Sequence, residues 1–162
     1  RRVSEKSPSV EEIEHAFKEI NCLGNPSPLK QLIGHGLVAF GFTLMFGGTL
    51  KDAITSLFIG LGIYFVMYGA AKYQANSIFK TMVASAITAM LTLVLRKVGL
   101  VDNMDKIIIG AFMNLVPGVI MTNGIRDIIV GDFVSGQVRL TEALLIATAM
   151  AVGVGLVLSL AL

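Results

Sequence analysis

Residues 114–142 read NLVPGVIMTNGIRDIIVGDFVSGQVRLTE, and the fold follows from how this stretch is placed. Its apolar run is short for a membrane crossing, which takes roughly 20 residues, and its charges come too often for one. Pro117 has no N–H to donate, and its ring clashes with the carbonyl of Met113 in a continuous helix. Gly118 adds nothing to stiffen the site. A helix entering near Ile107 is therefore expected to break at Pro117-Gly118 inside the membrane. Asn123-Gly124 reads as a helix stop. Residues 125–132 are too short to span and too apolar for a free loop, so they fit a short interfacial or re-entrant helix. Arg126 and Asp127 are neighbours in sequence and face apart on a helix, so each needs a partner elsewhere. Asp132 stands where it can cap the following helix. Arg139 and Glu142, three apart on that helix, can pair.

Outward from this stretch the chain is a series of apolar runs. Upstream lie 31–48, 53–71 and 78–95, then 107–121 with its break, and downstream 140–162. The unbroken runs are close to the length needed to cross a bilayer, and several are apolar on every face. The apolar fraction of 54% and mean hydropathy of +0.77 are high for a soluble domain. The expected fold is all-α: a polytopic integral membrane protein with about five transmembrane helices, the fourth broken.

Residues 1–28 read as a cytoplasmic arm, and residues 29–162 as the transmembrane domain. Ser9 and Glu12 form a capping box. Ile13, Phe17 and Ile20 follow at helical spacing, opposite Glu11, Glu14, Lys18 and Glu19, which predicts a short amphipathic helix. Asn25-Pro26-Ser27-Pro28 then breaks the chain. The arm reads as the end of a longer soluble part. Lys and Arg set the orientation. With the N-terminus inside, Arg1, Arg2, Lys6, Lys18, Lys30, Lys72, Lys80, Arg126 and Arg139 lie inside, against Lys51, Arg96, Lys97 and Lys106 outside.

Small residues recur every four positions on three helices: Ala143, Ala147, Ala151, Gly155 and Ser159 on the last, Gly110, Asn114 and Gly118 on the fourth, and His35, Ala39, Thr43 and Gly47 on the first. Such seams let helix backbones approach closely in lipid, and three of them leave room for a partner.

The single cysteine, Cys22, precludes an internal disulfide. No His/Cys cluster has metal spacing, no cofactor motif occurs, and no nucleophile–base constellation points to an enzyme. A net charge of +2 gives no basis for nucleic-acid binding. The chemistry that remains is transport. Broken helices in transporters aim dipole ends and bare carbonyls at polar solutes, and charges at membrane depth mark paths or proton relays. The candidate substrate or translocation residues are Asn114, Pro117, Gly118, Thr122, Asn123, Arg126, Asp127, Asp132, Arg139 and Glu142. His35 and Asp127 are candidates for proton coupling. The bland alternative places the charged residues at the inner headgroup level.

Pro117-Gly118, Thr122-Asn123, Arg126-Asp127, Gly131-Asp132, Ser135-Gly136 and Arg139 resemble the signature of the threonine/serine exporter family. Phe46-Gly47-Gly48 with Asp52-Ala53 resembles its first loop, Ile108-Ile109-Gly110-Ala111 the entry to its broken helix, and Asn25-Pro26-Ser27-Pro28 the end of its cytoplasmic arm. The resemblance implies a ten-helix transporter made of two five-helix halves, fused or separate, of which this chain is the first. It implies the bacterial plasma membrane and more cytoplasmic sequence before the arm. The partner is then a second five-helix subunit or another copy of this chain, with a lipid bilayer around both and a small polar metabolite as cargo. A threonine- or serine-type amino acid is the first expectation, a succinate-like dicarboxylate the second, and a purely structural or assembly subunit the alternative of another class.

Overall fold

The computed structural model describes residue 14, residues 27–72 and residues 76–161. The amphipathic helix expected after Ser9, and Cys22, lie outside the described residues. Among residues 27–161, the described residues form six helices: α1 Pro28–Met45, α2 Leu50–Lys72, α3 Ser77–Lys97, α4 Met104–Phe112, α5 Gly118–Ile129 and α6 Phe133–Ala161. No strand occurs among the described residues. The chain divides into two compact units, 1–30 and 31–162, and the helix bundle belongs to the second.

Three of these helices, α2, α3 and α6, are long and apolar enough to cross a membrane. Beside a few buried Ile, Tyr and Met side chains, their interior faces are rich in small or hydroxylated residues, and many of their large apolar side chains point outward. Thr81, Ser85, Thr88 and Thr92 line the buried face of α3, while Phe58, Phe65, Tyr68, Leu144, Leu156 and Leu160 are exposed. A water-soluble bundle does the reverse. In lipid, close backbone contact replaces hydrophobic burial as the adhesive between helices. The chain is thus a helical, multi-pass membrane protein.

Glycines show how close that contact is. A Cβ at Gly60 of α2 would stand 2.8 Å from the Ala39 Cβ of α1. One at Gly110 of α4 would run into the Thr43 hydroxyl and stand 2.7 Å from its backbone nitrogen. One at Gly153 of α6 would meet Ser85 and the Met82 carbonyl of α3. The seams on α1 and α4 are therefore used in part, through Ala39, Thr43 and Gly110, although Gly118 is exposed. On α6 the used face differs from the one expected. Gly136, Ala143, Ile146, Ala149, Met150 and Gly153 are buried, whereas Ala147, Ala151, Gly155 and Ser159 are exposed. A strict four-residue spacing drifts around a 3.6-residue helix, so only its first member, Ala143, stays on the packed side.

The loops at one end are tied by a buried carboxylate. Thr49 and Asp52 form a reciprocal capping box at the start of α2: Asp52 N donates to Thr49 Oγ1 (3.2 Å), and Thr49 N donates to Asp52 Oδ2 (3.0 Å). The same carboxylate accepts from the backbone nitrogens of Asp102 (2.8 Å) and Asn103 (3.1 Å), from Asn103 Nδ2 (3.0 Å) and from Thr49 Oγ1 (2.9 Å). Asp52 is fully buried. It thus fastens the α1–α2 loop to the α3–α4 loop. Lys51 reinforces the junction with a half-exposed ion pair to Asp102 at 2.8 Å.

The register of α3 against α6 locates the break. Gly153 lies beside Ser85 and Met82, Ile146 shares a cavity with Ser77 and Thr81, and Val157 and Leu160 share a cleft with Met90 and Val94. The two helices therefore run parallel, with Ile146 level with the start of α3. Residues 133–145 of α6 extend past that level by about 20 Å at 1.5 Å per residue. Their partner over this length is α5, whose Gly124 closes on Gly136 and Leu140. The α5–α6 hairpin projects beyond the end of α3.

Candidate functional site

The chain breaks between α4 and α5, as the pairing of Pro117 with Gly118 requires. Helix α4 ends at Phe112, residues 113–115 form a turn, and α5 begins at Gly118 with Pro117 as its N-cap. The last turn of α4 tightens: Leu115 N donates to Phe112 O at 2.7 Å and Gly118 N to Val116 O at 2.8 Å. The next backbone bond, from Met121 N to Pro117 O at 3.0 Å, already belongs to α5. Among the described residues, the carbonyls of Asn114 and Leu115 accept no hydrogen bond, and the N–H groups of Val119 and Ile120 make none. They are the orphan groups that the end of one helix and the start of the next leave behind.

These four residues line one cavity. It measures about 240 Å³ and is bounded also by Val116 and Pro117, by Met67 of α2, by Ser77 and Thr81 of α3, and by Ile146 of α6. Most of the wall is apolar, and Ser77, Thr81 and Asn114 are its polar residues. Bare carbonyls lie on one limb of the break and bare N–H groups on the other. The N-terminus of α5 adds its positive dipole end on the N–H side.

Asn114 is held by two backbone oxygens. Its Nδ2 donates to His35 O at 3.1 Å and to Ala111 O at 3.3 Å. The His35 ring turns elsewhere: Nδ1 lies 2.9 Å from Gln31 O, and the ring rests edge-on against Tyr64 at a centroid distance of 5.6 Å. Thus α1 touches the break through the backbone of His35.

The charged candidates are not at the cavity. Arg126, Asp127, Asp132, Arg139 and Glu142 lie along the projecting hairpin, with Arg126 about 12 Å along α5 from Gly118 at 1.5 Å per residue. Asp127 and Arg139 find each other, with Arg139 Nε 2.9 Å from Asp127 Oδ2, and Ser135 Oγ lies 3.5 Å from the same oxygen. The expected Arg139–Glu142 pair gives way to this one, because the packing of α5 on α6 at Gly124 and Gly136 brings Asp127 over Arg139. Asp132 caps α6, accepting from Ser135 N at 3.1 Å. Among the described residues Arg126 and Glu142 are exposed and have no ion pair. Thr122 is exposed and bonds Gly118 O at 2.9 Å, and Asn123 is half-buried beside it.

Two boundaries differ from those the sequence suggests. Helix α5 runs through Asn123-Gly124 and ends at Ile129, so the second limb of the broken helix and the short segment 125–132 merge into one 12-residue helix. Gly124 serves as a contact, buried against the backbone of Gly136, and the stop falls at Gly131, whose φ of +93° suits glycine. Ser77 and Thr81 are the cavity residues that the sequence alone does not single out, and the junction made by Asp52 is likewise not foreseen. Their signals are nonetheless present: Thr81, Ser85, Thr88 and Thr92 recur at helical spacing inside an apolar run, and Thr49 with Asp52 has the spacing of a capping box.

Among the described residues, no group of His, Cys, Asp and Glu is placed to hold a metal ion. No curated protein and no solved structure matches the chain significantly. A sequence model of the family described as "Putative threonine/serine exporter" matches residues 1–161. The match covers the helix break, the hairpin and the Asp52 junction together, and the chain belongs to the threonine/serine exporter family.

Proposed function

We propose that this chain is one subunit of a secondary transporter that exports threonine or serine, and that it takes up its cargo in the cavity at the α4–α5 break. One observation carries the reading: Asn114 and Leu115, whose carbonyls are unpaired, and Val119 and Ile120, whose N–H groups are unpaired, line the same small space. An amino-acid zwitterion meets both, its ammonium on the carbonyls and its carboxylate on the N–H groups at the start of α5. A dicarboxylate satisfies only the N–H side and sets a second negative charge beside bare carbonyls, at a desolvation cost.

The position of the cavity suits export. It lies level with the first turns of α3, at the end where Lys72 and Lys80 stand. The lysines and arginines of the N-terminal arm favour that end as cytoplasmic, in the plasma membrane of a bacterium. The charged hairpin then forms the approach from the cytoplasm, and Arg126 and Glu142 act there rather than against bound cargo. Proton coupling is assigned to His35, on the turn of α1 that receives the Asn114 amide, or to Asp127. About five crossings are reached if α1 and the broken α4 enter the bilayer, and a second five-helix subunit or a second copy completes the transporter.

Counterflow into proteoliposomes loaded with threonine tests the proposal. Labelled threonine and serine are expected to accumulate and labelled succinate to stay at background. Accumulation of succinate in place of both amino acids overturns it.

A further inference from the structure

The cavity wall has a third chemistry besides the bare carbonyls and N–H groups. Thr81 is buried and lines the cavity, and its Oγ1 donates its one hydrogen to Ser77 O at 2.9 Å. The oxygen that remains can only accept. Asn114 is in the same condition. Both of its amide hydrogens go to carbonyl oxygens, those of His35 and Ala111. That assignment is forced, because an amide oxygen in the place of Nδ2 would face two acceptors. Its Oδ1 accepts no hydrogen bond among the described residues. No side-chain oxygen or nitrogen among them is both buried and unpaired, so Oδ1 is accessible, on a residue that lines the cavity.

We infer that Thr81 and Asn114 are the specificity-determining pair of the site, reading the side-chain hydroxyl of the cargo as a hydrogen-bond donor whose one hydrogen goes to Thr81 Oγ1 or is shared with Asn114 Oδ1. The inference rests on the proposed export of a hydroxylated amino acid. It adds a direction to the recognition: the protein accepts and the cargo donates. A side chain without an O–H leaves Thr81 Oγ1 and Asn114 Oδ1 facing an apolar or acceptor group, and a polar group stripped of its partner is what rejects the wrong ligand. Ser77, exposed at the rim, is outside the pair.

The test is competition against labelled threonine counterflow in proteoliposomes of the purified transporter. The competitors are threonine, valine (its isostere without the hydroxyl), serine, and 3-fluoroalanine (serine's size, with an acceptor but no donor). For the wild type, threonine is expected to compete about tenfold better than valine, and serine about tenfold better than 3-fluoroalanine, the worth of one hydrogen bond of about 1.4 kcal/mol. Thr81→Val is expected to bring threonine and valine within about twofold of each other, and Thr81→Ser to restore the preference. The analogue series on the unaltered protein stands even if Thr81→Val fails to fold. If 3-fluoroalanine competes as well as serine, or if Thr81→Val folds and keeps the threonine preference, the inference is wrong and the export reading survives. If the wild type moves no amino acid at all, both fall together.

Discussion

Asp52→Ala is expected to lower stability by about 3 kcal/mol, since several part-buried donors lose one charged, buried acceptor at once. In a chain of this size that corresponds to an apparent melting temperature roughly 6–12 °C lower, measured in detergent by size-exclusion after a heating series. The size of the effect comes from the number of groups stranded. The N–H groups of Thr49, Asp102 and Asn103 and the Asn103 side chain all end on this one carboxylate, and Asp52 has no exposed surface through which water can replace it. Neighbouring Lys51 gives the contrast. Its ion pair with Asp102 is half-exposed, and Lys51→Ala is expected to cost under about 1 kcal/mol. Equal effects from the two substitutions would show that charge, rather than the buried acceptor, holds the two loops together.

The second large effect is functional. Replacing Pro117 and Gly118 together with alanine gives position 117 an N–H for the Met113 carbonyl and removes the ring clash, so α4 and α5 can join. Helix propensity alone favours the alanines by about 3 kcal/mol at the proline and about 1 kcal/mol at the glycine. The variant is therefore expected to be as stable as the wild type or more so. Transport is expected to fail, because a continuous helix consumes the unpaired carbonyls and N–H groups that the proposal assigns to the cargo. Losing two or three hydrogen bonds of about 1 kcal/mol each lowers affinity by roughly thirty- to a hundredfold or more. Thermal stability and counterflow measured on one preparation check this. Normal transport by a stable variant would remove the break from the mechanism.

The break is legible in the sequence because proline states its constraint locally: it has no N–H and clashes with the preceding turn. The role of Asp132 as a cap is legible for the same reason, being settled within three residues. The end of α5 is not. Asn123-Gly124 carries the local signature of a stop, yet the contact of Gly124 with Gly136 depends on α6 lying alongside, and tertiary packing overrides propensity there. Which charges pair is equally hidden. Arg139–Glu142 is the near choice in sequence, but a hairpin brings Asp127 across to Arg139, a contact set by two glycines elsewhere. Residue types also suggest that the charged residues and the break form one site. The register of α3 on α6 separates them, and that register is written in small residues whose partners a single sequence does not name. The hydroxyls on α3 are visible as a stripe, but their share in the cavity depends on the break lying level with Ser77 and Thr81.

Occupation of the cavity by cargo can be read at Val119. This residue lines the cavity at the α4–α5 break and is 76% exposed, so a thiol there is within reach of a reagent. Gln137 is exposed on the projecting part of α6 and serves as the control. With the chain's one cysteine removed by Cys22→Ser, the rate of maleimide labelling is measured for Val119→Cys and for Gln137→Cys, with and without saturating threonine or succinate. Threonine is expected to slow labelling of Val119→Cys severalfold, succinate to leave it unchanged, and neither to alter Gln137→Cys. A Val119→Cys rate that threonine does not change, in protein that still carries out threonine counterflow, would place the cargo elsewhere.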